Sequence, residues 1–146
     1  MIQEIKVAVD AVVFNHNSLD GMSVLLIRRK YEPFQGCWAL PGGLVKNEES
    51  LEEAVLRELK EETNLKLKSL EQLHSFGRPD RDPRNRVVSV AFYGLIKPGE
   101  YQLRARTDAE DVAWFNINDL PALAFDHAEI LNMAITRLKE KDGIHA

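Results

Sequence analysis

The sequence predicts an α/β fold in which a mixed β-sheet carries helices on its faces. Three observations predict it. Apolar residues alternate with other residues over the first part of the chain, as in a strand hairpin. A helical apolar period runs through one segment in the middle of the chain and one at its end. Strand-like stretches separate those two segments. No repeat, low-complexity stretch or linker interrupts residues 1–146, so the chain reads as a single domain.

Each element follows from local chemistry. Residues 4–15 read as a strand, with Val7, Val9, Ala11 and Val13 at alternating positions. The run Asn15-His16-Asn17-Ser18-Leu19-Asp20-Gly21 reads as a turn, and 23–29 as the second strand of a hairpin. Residues 31–36 form a loop, after which Trp38-Ala39-Leu40 leads into Pro41-Gly42-Gly43. The first helix spans about 50–63, and Ser50 followed by Glu53 has capping-box spacing. A strand region covers 66–76 and a loop rich in Arg, Asp and Pro covers 76–86. Residues 86–96 make a further strand, and Lys97-Pro98-Gly99-Glu100 turns the chain. A short strand at 111–116 is closed by Asn118-Asp119-Leu120-Pro121. The last helix starts near Asp126, again with capping-box spacing to Glu129, and Ile130, Met133, Ala134, Ile135 and Leu138 form its apolar face.

Composition narrows the function classes. An apolar content of 45% is ordinary for a globular domain. The net charge of −4 argues against broad nucleic-acid binding, which needs basic surface, but leaves a local phosphate site open. Cys37 is the single cysteine, so no intrachain disulfide forms, which suits a reducing cytoplasm. The N-terminus has no signal pattern, and no apolar run approaches the length of a membrane span.

The most informative stretch is 43–65. At about 100° per residue, Leu51, Ala54, Val55 and Leu59 form one apolar stripe of the first helix. Glu58 and Glu62 fall inside that stripe, and Glu61 lies at its margin. Glu52, Glu53 and Lys60 point away, as ordinary solvated charges do. Carboxylates on a buried-side face are costly unless a positive partner compensates them. A divalent cation is the obvious partner, because hard cations take carboxylate oxygens.

This stretch resembles the Nudix box. Gly43, Glu49, Arg57, Glu58, Leu59, Glu61, Glu62 and Leu65 stand where the family pattern has its fixed residues. The departure is Asn64, where the family has a helix C-cap glycine; Asn is the next most tolerant residue of positive φ. The resemblance implies an α/β/α sandwich with the box as loop–helix–loop. It implies a hydrolase of nucleoside diphosphate derivatives that uses magnesium, with manganese as the alternative. It also implies metal ligation by Glu58, Glu61, Glu62 and the Gly43 carbonyl, with Arg57 steering Glu49 and the loop. Glu58 and Glu62 are one helical turn apart and so reach one site. The general base stays open between Glu61 and two acids outside the box, Glu110 and Asp111.

The loop from Arg78 to Arg86 is locally basic within an acidic protein. Arg78, Arg81, Arg84 and Arg86 are candidates for binding substrate, since guanidinium forks suit phosphate and guanidinium faces stack on rings. The competing reading is a solvated loop held by internal Arg–Asp pairs. The segment from Gly77 to Arg84, with Val87-Val88-Ser89-Val90-Ala91, is similar to one in Nudix ADP-ribose pyrophosphatases and in ADP-ribose-responsive Nudix transcription regulators. The run from Ala124 to Leu131 resembles the start of the terminal helix in that subgroup. His127 and Trp38 are further substrate-binding candidates, each with a structural alternative, whereas Trp114 and Phe115 read as core.

The resemblance thus implies cleavage of ADP-ribose to AMP and ribose 5-phosphate. The alternatives are another Nudix substrate (a nucleoside triphosphate, NADH or a nucleotide sugar) and a sensor that binds ADP-ribose without cleaving it. Intact box acids, and an ending straight after the last helix where those regulators carry a winged-helix domain, oppose the sensor. A small-molecule nucleotide is the expected partner, with no nucleic acid and no membrane. Edge strands or the first hairpin offer surfaces for a homodimer.

Overall fold

The computed structural model describes residues 2–17, 21–97, 103–105 and 109–142. Two turns read from the sequence lie outside them in part, at 18–20 and 98–100. The long central strand β1 (Lys6–Asn17) is rich in Val and is flanked by β2 (Gly21–Arg29) and β6 (Val87–Ile96). The other strands are β3 (Trp38–Ala39), β4 (Gly42–Leu44), β5 (Glu71–Phe76) and β7 (Ala109–Asn116). The sheet runs β3-β2-β1-β6-β5, with β4 also on β1 and β7 also on β2. Only β1 and β6 pair parallel among the described strands, so the sheet is mixed, as expected.

Alternation along the strands divides the apolar residues between two faces. Val9, Ala11 and Val13 of β1, with Leu25, Val90 and Phe92, meet Ala54, Val55 and Leu59 of α1 (Leu51–Thr63). Val12 and Phe14, with Val24, Leu26, Ala91 and Tyr93, meet Ile130, Leu131, Ala134 and Leu138 of α2 (His127–Asp142). One helix on each face makes the α/β/α sandwich. No helix among the described residues is long and apolar enough to cross a membrane.

Three expectations need correcting. The strand region at 66–76 begins only at Glu71; Leu65, Leu67 and Leu70 pack their side chains into the α1 core without joining a ladder. The last strand starts at Ala109, two residues early. Asp126 and Glu129, read as a capping pair, go to arginines: Asp126 takes both oxygens to Arg81, and Glu129 meets Arg78 at 2.9 Å.

The caps of α1 match the sequence reading. Ser50 and Glu53 form a reciprocal capping box, and Asn64 ends the helix at φ 66°, donating its N–H to the Lys60 carbonyl. A left-handed backbone suits glycine best, and Asn better than residues with a Cβ and no compact polar side chain. Asn64→Ala is therefore expected to lower stability by about 1 kcal/mol, read from the urea midpoint, with Asn64→Gly at least as stable as the parent.

Candidate active site

The glycine loop is fixed to the sheet before it meets the helix. Val9 pairs with Gly43 and Asp10 with Gly42, and the Ala11 N–H donates to the Pro41 carbonyl at 2.8 Å. A Cβ on Gly42 would lie 2.2 Å from the Val9 carbonyl oxygen, and one on Gly43 would lie 2.6 Å from the Glu58 carboxylate. Gly42 meets backbone and admits no side chain, and a side chain at Gly43 would have to displace the Glu58 carboxylate, so both glycines serve close approach. The Gly42 N–H donates to Glu62 Oε1 at 2.7 Å, tying the buried end of α1 to the loop.

Arg57 organises the remaining acids. Its Nε and one Nη donate to the two oxygens of Glu49 at 2.5 and 2.8 Å. The other Nη donates to Glu58 at 2.8 Å and to Glu61 at 3.1 Å. A further bond reaches the Leu44 carbonyl at 3.2 Å, beside the glycines. The Arg57 hydrogen bonds, helped by the Lys46 N–H, hold the Glu49 carboxyl at about 2, against the upward push of burial. Burial pushes Glu58 upward, opposed by Arg57. Arg57 itself is raised by its bonds to Glu49, against burial.

The Glu49 shift has a testable sign. A depressed carboxyl stabilises the fold fully above its ordinary value of 4.5, and that contribution disappears as pH falls through about 2. Glu49→Gln should therefore lower the urea midpoint by a constant amount at neutral pH, and the gap to the parent should close on acidification between those two values. A gap independent of pH throughout would show that Glu49 acts by shape rather than by charge.

Gly42, Gly43, Arg57, Glu58 and Glu62 line a cleft of about 440 Å³ together with Arg29, Tyr31, Asp82 and Arg84. A smaller recess of about 110 Å³ continues inward past Asp10, Arg81, Phe125 and His127. Glu61 is not among the lining residues; its side chain is 43% exposed and bonded to Arg57, which is. Among the described residues no three His, Cys, Asp or Glu side chains enclose an ion unaided. Glu58 and Glu61 instead share the Arg57 guanidinium. The oxygen-only donor set suits a hard cation that takes part of its shell from water or phosphate, as magnesium does.

The arginine loop splits into different roles. Arg81 is buried and donates both forks to Asp126 at 2.9 and 2.7 Å, with Asp10 at 3.8 Å. Burial alone would lower Arg81, but Asp126 and Asp10 outweigh it and raise it. Its fork is thus spent inside the protein, on the helix that starts at His127. Arg84 lines both parts of the cleft and is held by Asp82. Arg78 is exposed and pairs with Glu129 and Asp80, and Arg86 borders a separate depression with Gln3, Glu4, Ile5 and Pro79. Neither lines the cleft.

The other candidates divide in the same way. His127 is buried in the recess. Its Nδ1 accepts the Leu40 N–H at 3.0 Å, so the neutral ring carries its proton on Nε2, 3.4 Å from Asp10. Burial lowers its proton affinity despite the neighbouring Asp10 and Asp126. Trp38 packs on Phe115 with centroids 4.7 Å apart, among core residues and away from the cleft lining. Glu110 and Asp111 lie exposed on β7, Glu110 at 3.8 Å from Arg28, and neither lines the cleft. For Trp38, Glu110, Asp111, Arg78 and Arg86, sequence proximity to the motifs is not spatial proximity to the site.

Asp10, Arg29 and Phe125 were missing from the sequence reading. Asp10 had a signal: a carboxylate amid the buried alternation of β1 must have partners, here Ser89 Oγ at 2.5 Å together with Arg81 and His127. Phe125 had none, because its position depends on a φ of 53° that no periodicity reports.

Comparison with known proteins identifies the family. The NUDIX domain family model matches residues 4–134. The ADP-ribose pyrophosphatase of Methanocaldococcus jannaschii is 49% identical over 127 residues, covering 86% of this chain and 70% of that protein. The ADPR responsive transcriptional repressor NtrR of Acinetobacter baylyi is 34% identical over 91% of this chain, which spans only 54% of the repressor. The NUDIX domain of Shewanella oneidensis NrtR, solved with ADP ribose, superposes with a TM-score of 0.86 at 35% identity, over 94% of this chain and 90% of that one. With family model, sequence and fold in agreement, the chain belongs to the NUDIX domain family.

Proposed function

We propose that this Nudix pyrophosphohydrolase cleaves ADP-ribose to AMP and ribose 5-phosphate with the help of magnesium or manganese. The observation that carries the reading is one cleft whose lining includes both an acid wall, Glu58 and Glu62 of α1, and an arginine wall, Arg29 and Arg84. The acid wall is where Glu58, Glu61, Glu62 and the Gly43 carbonyl would hold the ion. When bound, such an ion clamps phosphate oxygens and lowers the pKa of bound water. The chain's own part is positional. Arg57 fixes the orientation of Glu49, Glu58 and Glu61, and the two glycines let backbone approach the diphosphate. Glu61 shares the Arg57 guanidinium with Glu58, which lines the cleft, whereas Glu110 and Asp111 stand on β7, so Glu61 is the candidate we favour for taking the water's proton. The likeness to the archaeal pyrophosphatase and to an ADP-ribose-bound domain supports this substrate over other nucleotides.

A non-catalytic ADP-ribose sensor is the second reading, favoured by the likeness to the repressor. A substrate panel with magnesium decides between them: ADP-ribose, NADH, nucleoside triphosphates and diadenosine polyphosphates. Preferred hydrolysis of ADP-ribose is expected. Hydrolysis of a different member would move the substrate, and tight ADP-ribose binding without any turnover would favour the sensor.

A further inference from the structure

Two aromatic residues beside the cleft hold a backbone conformation that L-residues avoid. Among the described residues three non-glycines have positive φ: Asn64 in its helix cap, Phe34 at 61° and Phe125 at 53°. Strain of this kind persists where the surroundings require it. Both phenylalanines converge on one place, their ring centroids 4.8 Å apart. The Phe125 ring also carries two guanidiniums, with Arg29 Cζ 5.0 Å and Arg84 Cζ 5.6 Å from its centroid.

Arg84 differs from the other arginines of its loop. Its Nε and one Nη donate to the two oxygens of Asp82 at 3.1 and 2.9 Å, and its backbone N–H donates to the same carboxylate at 2.9 Å. Asp82 is buried, and its carboxyl is held low by those bonds in spite of the burial. A guanidinium committed in this way has its charge compensated and one edge of its donors engaged. What it still offers is its plane. The side chain is 50% exposed and lines both the cleft and the recess.

We propose that Arg84, held flat by Asp82 and backed by Phe125, is a stacking plate for the planar base of a nucleotide and not a phosphate clamp. The proposal rests on the reading of the cleft as a nucleotide site and deepens it. It assigns the base to the arginine wall and leaves the phosphates to the acid wall. Guanidinium planes stack on rings, and stacking tolerates a neutralised charge where phosphate binding does not.

The test compares AMP with ribose 5-phosphate, which share the phosphate and differ in the base. Calorimetry on the parent should show tighter binding of AMP. Arg84→Ala should weaken AMP by about tenfold and leave ribose 5-phosphate nearly unchanged. Arg84→Lys, which keeps the charge but not the plane, should behave like Arg84→Ala. Equal losses for both ligands, or rescue by lysine, would overturn the proposal in favour of a phosphate contact. A preference for AMP that survives in both variants would overturn the plate alone. A parent that does not distinguish the two ligands would overturn the nucleotide reading with it.

Discussion

Glu62→Gln is expected to lower the rate of ADP-ribose cleavage by about 100-fold or more while leaving the unfolding midpoint close to that of the parent. The substitution is chosen for what it preserves. Glu62 is buried at the end of α1, and its Oε1 accepts the Gly42 N–H at 2.7 Å. A glutamine carbonyl accepts the same bond, so the loop and the helix keep their relation. The loss is one negative charge in the cleft lining, beside the double glycine. If that charge holds a cation against the diphosphate, the cost falls on turnover and on the concentration of magnesium needed for half-maximal rate. The measurement is a magnesium titration at saturating ADP-ribose, alongside chemical denaturation. Turnover within a few fold of the parent would remove Glu62 from the chemistry and leave it as a loop anchor.

The fold and the acid wall were legible in the sequence because both are written in local spacing. The period of α1 placed Glu58 and Glu62 on the face of Ala54, Val55 and Leu59, and the helix packs that face on the sheet. The Asn64 turn and the Ser50 cap needed only their own residues. The arginine wall was less legible because chain neighbours part ways in space. Arg78, Arg81, Arg84 and Arg86 look alike in sequence, yet one is exposed, one buried, one in the cleft and one in another depression. Arg78, Arg81 and Arg84 are separated by the carboxylate that each one meets. Asp126 and Asp10, the carboxylates that meet Arg81, come from α2's start and from β1, far away in the chain. Tertiary pairing of this kind leaves no periodic trace.

Arg81 is the case in which that pairing carries the largest predicted effect on stability. Arg81→Ala is expected to lower folding stability by about 3–5 kcal/mol. The Arg81 and Asp126 side chains are 4% and 3% exposed, and their charged atoms are 2.7 Å apart. Asp10 lies on the other side at 3.8 Å, hydrogen-bonded to Ser89 and beside a neutral His127. Without the guanidinium, two buried carboxylates face each other with no cation, which costs more than the pair itself contributes. The direction of the Arg81 shift sets the pH dependence. Its folded value is raised, so its contribution is complete below the ordinary arginine range and is constant across neutral and mildly alkaline pH. The discriminating variant is the double replacement Arg81→Met with Asp126→Leu. An apolar pair of similar volume leaves neither charge unpaired at that contact, so the double variant should recover most of what either single variant loses. Urea denaturation of the four proteins gives the coupling directly. Losses that simply add would mean that the two side chains stabilise the fold separately, and that the arginine loop is tied to α2 by something other than this ion pair.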